Sequence, residues 1–93
     1  MESILNEIRQ LYNRKNADYG DSFDKTLDEF GLVASATRMS DKFNRFKSLI
    51  KNPPQIQDEK IEDTLIDLAS YAMMTIKWMR RHGIFSNDTR GTI

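Results

Sequence analysis

The stretch Ile61-Glu62-Asp63-Thr64-Leu65-Ile66-Asp67-Leu68-Ala69-Ser70-Tyr71-Ala72 decides how the chain folds. At about 100° per residue, Ile61, Leu65, Leu68 and Ala72 fall on one stripe, which Ile76 and Met79 extend. Apolar residues recurring at three and four mark a helix with one buried face. Acids crowd the start of this segment, while Lys77, Arg80, Arg81 and His82 close it, and both ends suit the helix dipole. The spacing predicts a helix from near Gln57 or Asp58 to about Arg81, before Gly83.

Upstream, Asn52-Pro53-Pro54 halts another helix, because proline lacks an amide donor and restrains its predecessor to extended geometry. That second long helix is predicted from Leu32 to about Lys51, with Leu32, Ala36, Met39, Phe43, Phe46 and Ile50 as its apolar stripe. Before it, Asp21 or Ser22 caps a short helix carrying Phe23, Leu27 and Phe30 and ended by Gly31. The first helix runs from Glu2 to about Arg14, with Ile4, Leu5, Ile8, Leu11 and Tyr12 on one face. It is expected to stop near Asn16, before a polar turn through Gly20 to Ser22. Residues 84–93 are rich in Ser, Asn, Thr and Gly and read as a loose or docked tail. The expected fold is all-α, a small helical bundle of three long helices and one short, with residues 1–82 as the domain and 83–93 as the tail.

Ninety-three residues leave room for one hydrophobic core. Helical hairpins of this size often complete that core by self-association, so a homodimer or homotetramer is expected. Fourteen Lys plus Arg balance fourteen Asp plus Glu, so no global field draws the chain to nucleic acid or an anionic membrane. There is no cysteine, which excludes a disulfide framework and thiolate zinc. The single histidine, His82, is too little for a histidine zinc site and reads as a surface residue at a helix end. Any bound metal should be a hard cation held by oxygens, Mg²⁺ or Mn²⁺. The first seven residues lack the basic and apolar regions of a signal peptide, and no apolar run approaches the roughly 20 residues of a membrane span. The expectation is a cytoplasmic protein.

Opposite the main stripe of the last helix stand Glu59, Asp63 and Asp67, four residues apart. The same side continues with Ser70, Met74 and Trp78, so it too is expected to be covered. Asp67 sits in Leu65-Ile66-Asp67-Leu68-Ala69, where a carboxylate costs several kcal/mol unless a cation compensates it. Carboxylates one turn apart can share an Mg²⁺ that keeps positions for water and phosphate. The competing account is helix-dipole placement for Glu59 and Glu62, and ion pairing within the protein for Asp63 and Asp67. On the second long helix, Arg38, Asp41 and Arg45 share a face with Lys42 alongside. They read either as a solvated face or as one more metal ligand, Asp41, among phosphate-clamping cations. Lys15, Asp18 and Tyr19, before Gly20, can reach a base or phosphate, or can simply form a turn. Met74 and Trp78 read as interface core rather than a base-stacking platform.

Three runs carry a resemblance. Lys15-Asn16-Ala17-Asp18-Tyr19-Gly20-Asp21-Ser22-Phe23 resembles a K-x-x-D-Y-G-x-S-[FW] signature. Arg38-Met39-Ser40-Asp41-Lys42-Phe43-Asn44-Arg45 and the stretch from Glu62 to Ala72 complete the pattern. Together they resemble the phage and bacterial nucleotide modification associated domain 1 group, over roughly Leu5 to Arg80. That group is in turn similar to the all-α nucleoside triphosphate pyrophosphatases, the MazG-like and dimeric dUTPase-like enzymes. The resemblance implies a Mg²⁺-dependent cut between the α- and β-phosphates of a (deoxy)nucleoside triphosphate, giving the monophosphate and pyrophosphate. Asp41, Asp63 and Asp67 would hold the ion, with Glu59 or Glu62 as a further ligand or water-orienting base. Arg38, Lys42 and Arg45 would stabilise charge on the phosphates, and Lys15, Asp18 and Tyr19 would contact the nucleotide. The sequence departs from the wider E-x-x-E and E-x-x-D pattern: Asp63 stands four residues before Asp67, and Arg38 occupies a position where Glu is expected. Fewer carboxylates imply weaker metal binding. The alternatives are a non-catalytic nucleotide-binding accessory module and a phage or bacterial helical protein-interaction domain.

Overall fold

The computed structural model describes the backbone of residues 1–19, 21–52 and 61–84, and their side chains apart from residues 16–19. Within these it holds four helices and no strand: α1 Glu2–Tyr19, α2 Ser22–Phe30, α3 Leu32–Lys51 and α4 Ile61–Arg81. The all-α expectation stands, and no described helix is long and apolar enough to cross a membrane. The predicted start of α4 near Gln57 or Asp58, the Pro53-Pro54 break and the tail beyond Ile84 lie outside the described residues.

One boundary differs from the sequence reading. α1 continues through Asn16 to Tyr19 instead of stopping near Arg14. Asn and Asp cost a helix only a few tenths of a kcal/mol each, and Ala17 favours it, so nothing in Lys15–Tyr19 breaks the helix. The reversal falls at Asp21, the one described non-glycine residue with positive φ, at 53°. Asp21 occupies the N-cap of α2, but its side chain accepts no capping hydrogen bond. Gly31 joins α2 to α3 at φ 73° and ψ −162°, a region essentially reserved for glycine, and its N–H reaches the Leu27 carbonyl at 2.7 Å.

α3 and α4 form an antiparallel hairpin with the most extensive packing in the chain. Its seam is polar. Ser35 meets Thr75 at 2.6 Å, Thr75 donates to the Tyr71 carbonyl at 2.7 Å, and Lys42 donates to Asp67 at 3.0 Å. Thr64, Ser35 and Ser70 are buried, alongside Leu49 and Trp78. α1 crosses α4 antiparallel, pairing Tyr12 with Lys77 and Lys15 with Asp67. α2 lies along the second half of α4, where fully buried Leu27 anchors it.

The predicted apolar stripes do not fill this seam. On α3, Leu32, Phe43 and Ile50 are exposed, and on α4 so are Ile61, Leu65 and Ile76, while Phe30 of α2 faces solvent. Met39 and Phe46 on α3 and Leu68, Ala72 and Met79 on α4 stay half-buried, so each stripe is only partly covered. The reason lies in the side of α4 that continues Asp67 with Ser70, Met74 and Trp78. That side, together with its flank at Thr64, Tyr71 and Thr75, is packed within the chain, which leaves part of each apolar stripe exposed.

Candidate functional site

A cleft of about 280 Å³ opens where the end of α1 and the start of α2 meet the middle of α4. Tyr12 and Lys15 reach it from α1, Asp21, Ser22, Phe23 and Asp24 from the turn and α2, and Asp67, Ser70, Tyr71 and Met74 from α4. Residues 67, 70, 71 and 74 recur at three and four, so a single helix face forms one wall. Phe23 meets Tyr71 edge to face, with centroids 5.0 Å apart and planes at 63°. This pair joins two of the three sequence runs that carry the resemblance. A second groove of about 410 Å³ lies between α1 and α4 and is lined by Glu7, Gln10, Leu11, Arg14, Asp63, Ile66 and Asp67. Asp67 borders both.

Asp67 does lie in a shielded place, its side chain 23% exposed, and it is compensated within the protein. Its Oδ2 accepts from Lys42 Nζ at 3.0 Å, while its Oδ1 stands 3.7 Å from Lys15 Nζ. Two ammoniums therefore face one carboxylate. Lys42 was read as lying alongside a charged outer face, but it turns into the seam, whereas Arg38, Asp41 and Arg45 are exposed. Asp63 and Glu62 are also exposed, at the start of α4. Asp63 shares the second groove with Asp67. Glu59 lies outside the described residues, as do the side chains of Asp18 and Tyr19. Among the described residues no three acidic or histidine side chains stand close enough to hold a metal ion. Asp41, Asp63 and Asp67 are thus not assembled into one ligand set.

A second charged cluster went unread in the sequence. Asp24, on α2, is buried, and its Oδ2 accepts from Arg81 Nη1 at 3.1 Å, with Lys77 Nζ at 3.5 Å. Lys77 also donates to the Tyr12 hydroxyl and lies over that ring, 4.7 Å from its centroid. Partial burial by itself lowers the Lys77 pKa, but the Tyr12 hydrogen bond and the Asp24 charge outweigh it, and the net shift is upward from 10.5. One turn on, Asp28 Oδ1 accepts from Trp78 Nε1 at 2.8 Å and faces His82 Nε2 at 3.1 Å. His82 Nδ1 meets the Trp78 carbonyl at 2.9 Å. His82 keeps the expected surface place at the end of α4, its side chain 41% exposed, and also joins the α2–α4 contact through Asp28. The signal for Asp24 was available: it precedes Leu27 by three residues, so it shares the apolar face of a short helix.

The arrangement offers π-faces from Tyr12, Phe23 and Tyr71, a flexible thioether from Met74, and an ammonium at the rim from Lys15. Aromatic faces receive a planar ring, and an ammonium receives an anion. Residues 15–78 match the family described as nucleotide modification associated domain 1. No curated protein and no solved structure matches the chain.

Proposed function

Because the chain belongs to the nucleotide modification associated domain 1 family, we propose that it binds a nucleotide in the cleft between α1, α2 and α4. The observation that supports this reading is the convergence of the Lys15–Phe23 run and the Glu62–Ala72 run on one small cavity. Its volume lies near the lower end of the roughly 300–1,000 Å³ of small-molecule sites. A base lies against Tyr71, Phe23 and Met74, and the phosphates extend toward Lys15. Ser22 and Ser70 supply hydroxyls that select among base or sugar edges. Titration with a panel of deoxynucleoside mono- and triphosphates tests the reading. Binding that is weakened by Tyr71→Ala supports it, and silence across the panel removes it.

A second reading is Mg²⁺-dependent hydrolysis of a (deoxy)nucleoside triphosphate to monophosphate and pyrophosphate, as in the MazG-like enzymes that the motifs resemble. It draws support from Asp63 and Asp67, one turn apart on α4 and lining the same groove as Glu7. Mg²⁺ commonly takes one or two carboxylates and completes its shell with water and phosphate. The described residues do not fit a three-carboxylate site, and Asp67 already carries Lys42 and Lys15, so no catalytic step is drawn through the ion. Pyrophosphate released from a triphosphate in Mg²⁺, and lost in Asp67→Asn, is the result this reading requires.

We also propose that the chain works as a homo-oligomer. Leu32, Phe43 and Ile50 on α3 and Ile61, Leu65 and Ile76 on α4 are exposed, and they lie on one flank of each helix. A second copy, carrying the same flank, covers them by the self-complementary contact of a two-fold dimer.

A further inference from the structure

Lys15 and Lys42 hold Asp67 unequally, and the difference has a chemical consequence for the ligand. Lys42 donates a hydrogen bond of 3.0 Å from a partly buried side chain. Lys15 stands 3.7 Å from the other oxygen, beyond hydrogen-bond reach, with its side chain 55% exposed. Lys15 lines the cleft, whereas Lys42 does not. Lys42 holds Asp67 by the shorter contact, so Lys15, in the longer ion pair, is the more loosely held of the two cations, at a rim that Asp21 and Asp24 also line.

We propose that Lys15 is the phosphate-receiving cation of the site and that the Lys42–Asp67 pair sets it free, so that the chain binds an anionic nucleotide without a divalent ion. This rests on the nucleotide-binding reading above. Lys42 is a positioning residue: it keeps the Asp67 carboxylate engaged, so that Lys15 swings from a loose electrostatic contact onto a phosphate oxygen. Without Lys42, Asp67 would capture Lys15 as its remaining counter-ion and close the anion site. In this arrangement Mg²⁺ is a competitor, since it masks the phosphate charge that Lys15 recognises.

The test is equilibrium titration of the intact chain with dATP, dGTP, dCTP, dTTP and their monophosphates, in EDTA and again in excess MgCl₂. Circular dichroism melts check that each variant folds. Binding in EDTA at least as tight as in Mg²⁺ is expected. Lys15→Met should weaken it about tenfold, the scale of one charge-assisted hydrogen bond. Lys42→Met should weaken it similarly although Lys42 touches no ligand. The double variant Lys42→Met with Asp67→Asn should recover most of the loss, because no carboxylate remains to capture Lys15. A purely structural Lys42 would show no such rescue. Binding seen only with Mg²⁺, or Asp67→Asn weakening binding in EDTA, overturns this inference and leaves the nucleotide reading standing. Failure of every nucleotide to bind under both conditions overturns both.

Discussion

Individual carboxylates show how this chain handles charge in shielded places. Asp67 and Asp24 are each largely covered, and each faces two cations. Removing Asp24 leaves Lys77 and Arg81 facing each other. Because both cations are partly exposed and screened, Asp24→Ala should cost about 1–2 kcal/mol in a urea unfolding titration. Lys77 adds a pH signature. Its folded-state pKa lies above 10.5, since the Tyr12 hydrogen bond and the Asp24 charge outweigh the lowering caused by burial. A group with a raised folded pKa stabilises fully below its unfolded pKa, and that contribution fades as pH climbs through the folded value. As pH climbs from about 10.5 upward the wild type should therefore lose more stability than Lys77→Met, and parallel slopes there would contradict the assignment. Leu27, with 0% exposure, carries the packing of α2, and Leu27→Ala should cost about 2–5 kcal/mol by the same titration.

At the scale of the element, helix existence and type were legible because periodicity at three and four, the Gly31 stop and the dipole-matched ends of α4 act locally. α3 came out at Leu32–Lys51 as read. Which part of each stripe is covered was not legible. Two apolar stripes facing each other is the default for a hairpin, yet Ser35 and Thr75 occupy the seam because their hydroxyls bond across it or back onto a carbonyl. The covering of Ser70, Met74 and Trp78 could be read from the loss of charge on that side of α4. The end of α1 could not, because Asn16 and Asp18 favour turns only weakly over helix. Of the candidate site, the Lys15–Phe23 run and Asp67 were found in the sequence. Tyr12 was placed only on the apolar face of α1, and the pairing of Tyr71 with Phe23 arises only where α2 meets α4, whereas Asp24 carried a signal in its spacing from Leu27. Gly31 gives this scale its own prediction. A Cβ there meets no atom within 4 Å, so Gly31→Ala is opposed by backbone conformation alone. A loss of about 1–3 kcal/mol in thermal or urea unfolding is expected, and an unchanged midpoint would show that the α2–α3 joint adopts another conformation.

For the molecule as a whole, the described core is small: Ile8, Leu27, Leu49 and Trp78 are its buried apolar residues. More large apolar side chains are exposed than buried among the described residues, with Phe43 at 50% exposure, and a chain of this size gains little from its own core. Sedimentation equilibrium should give a multiple of 10.9 kDa, falling to the single-chain mass in Phe43→Glu, while a wild-type monomer would refute the proposed assembly. Self-association and ligand binding are separable, because the exposed flanks of α3 and α4 share no residue with the lining of the cleft. The account turns on that cleft being a nucleotide site. The most direct measurement is chemical-shift mapping of the ¹⁵N-labelled chain during titration with deoxynucleoside triphosphates. Perturbations centred on Tyr12, Lys15, Phe23, Ser70 and Tyr71 are predicted, whereas a saturable response confined to other surfaces, or no response at all, would contradict it.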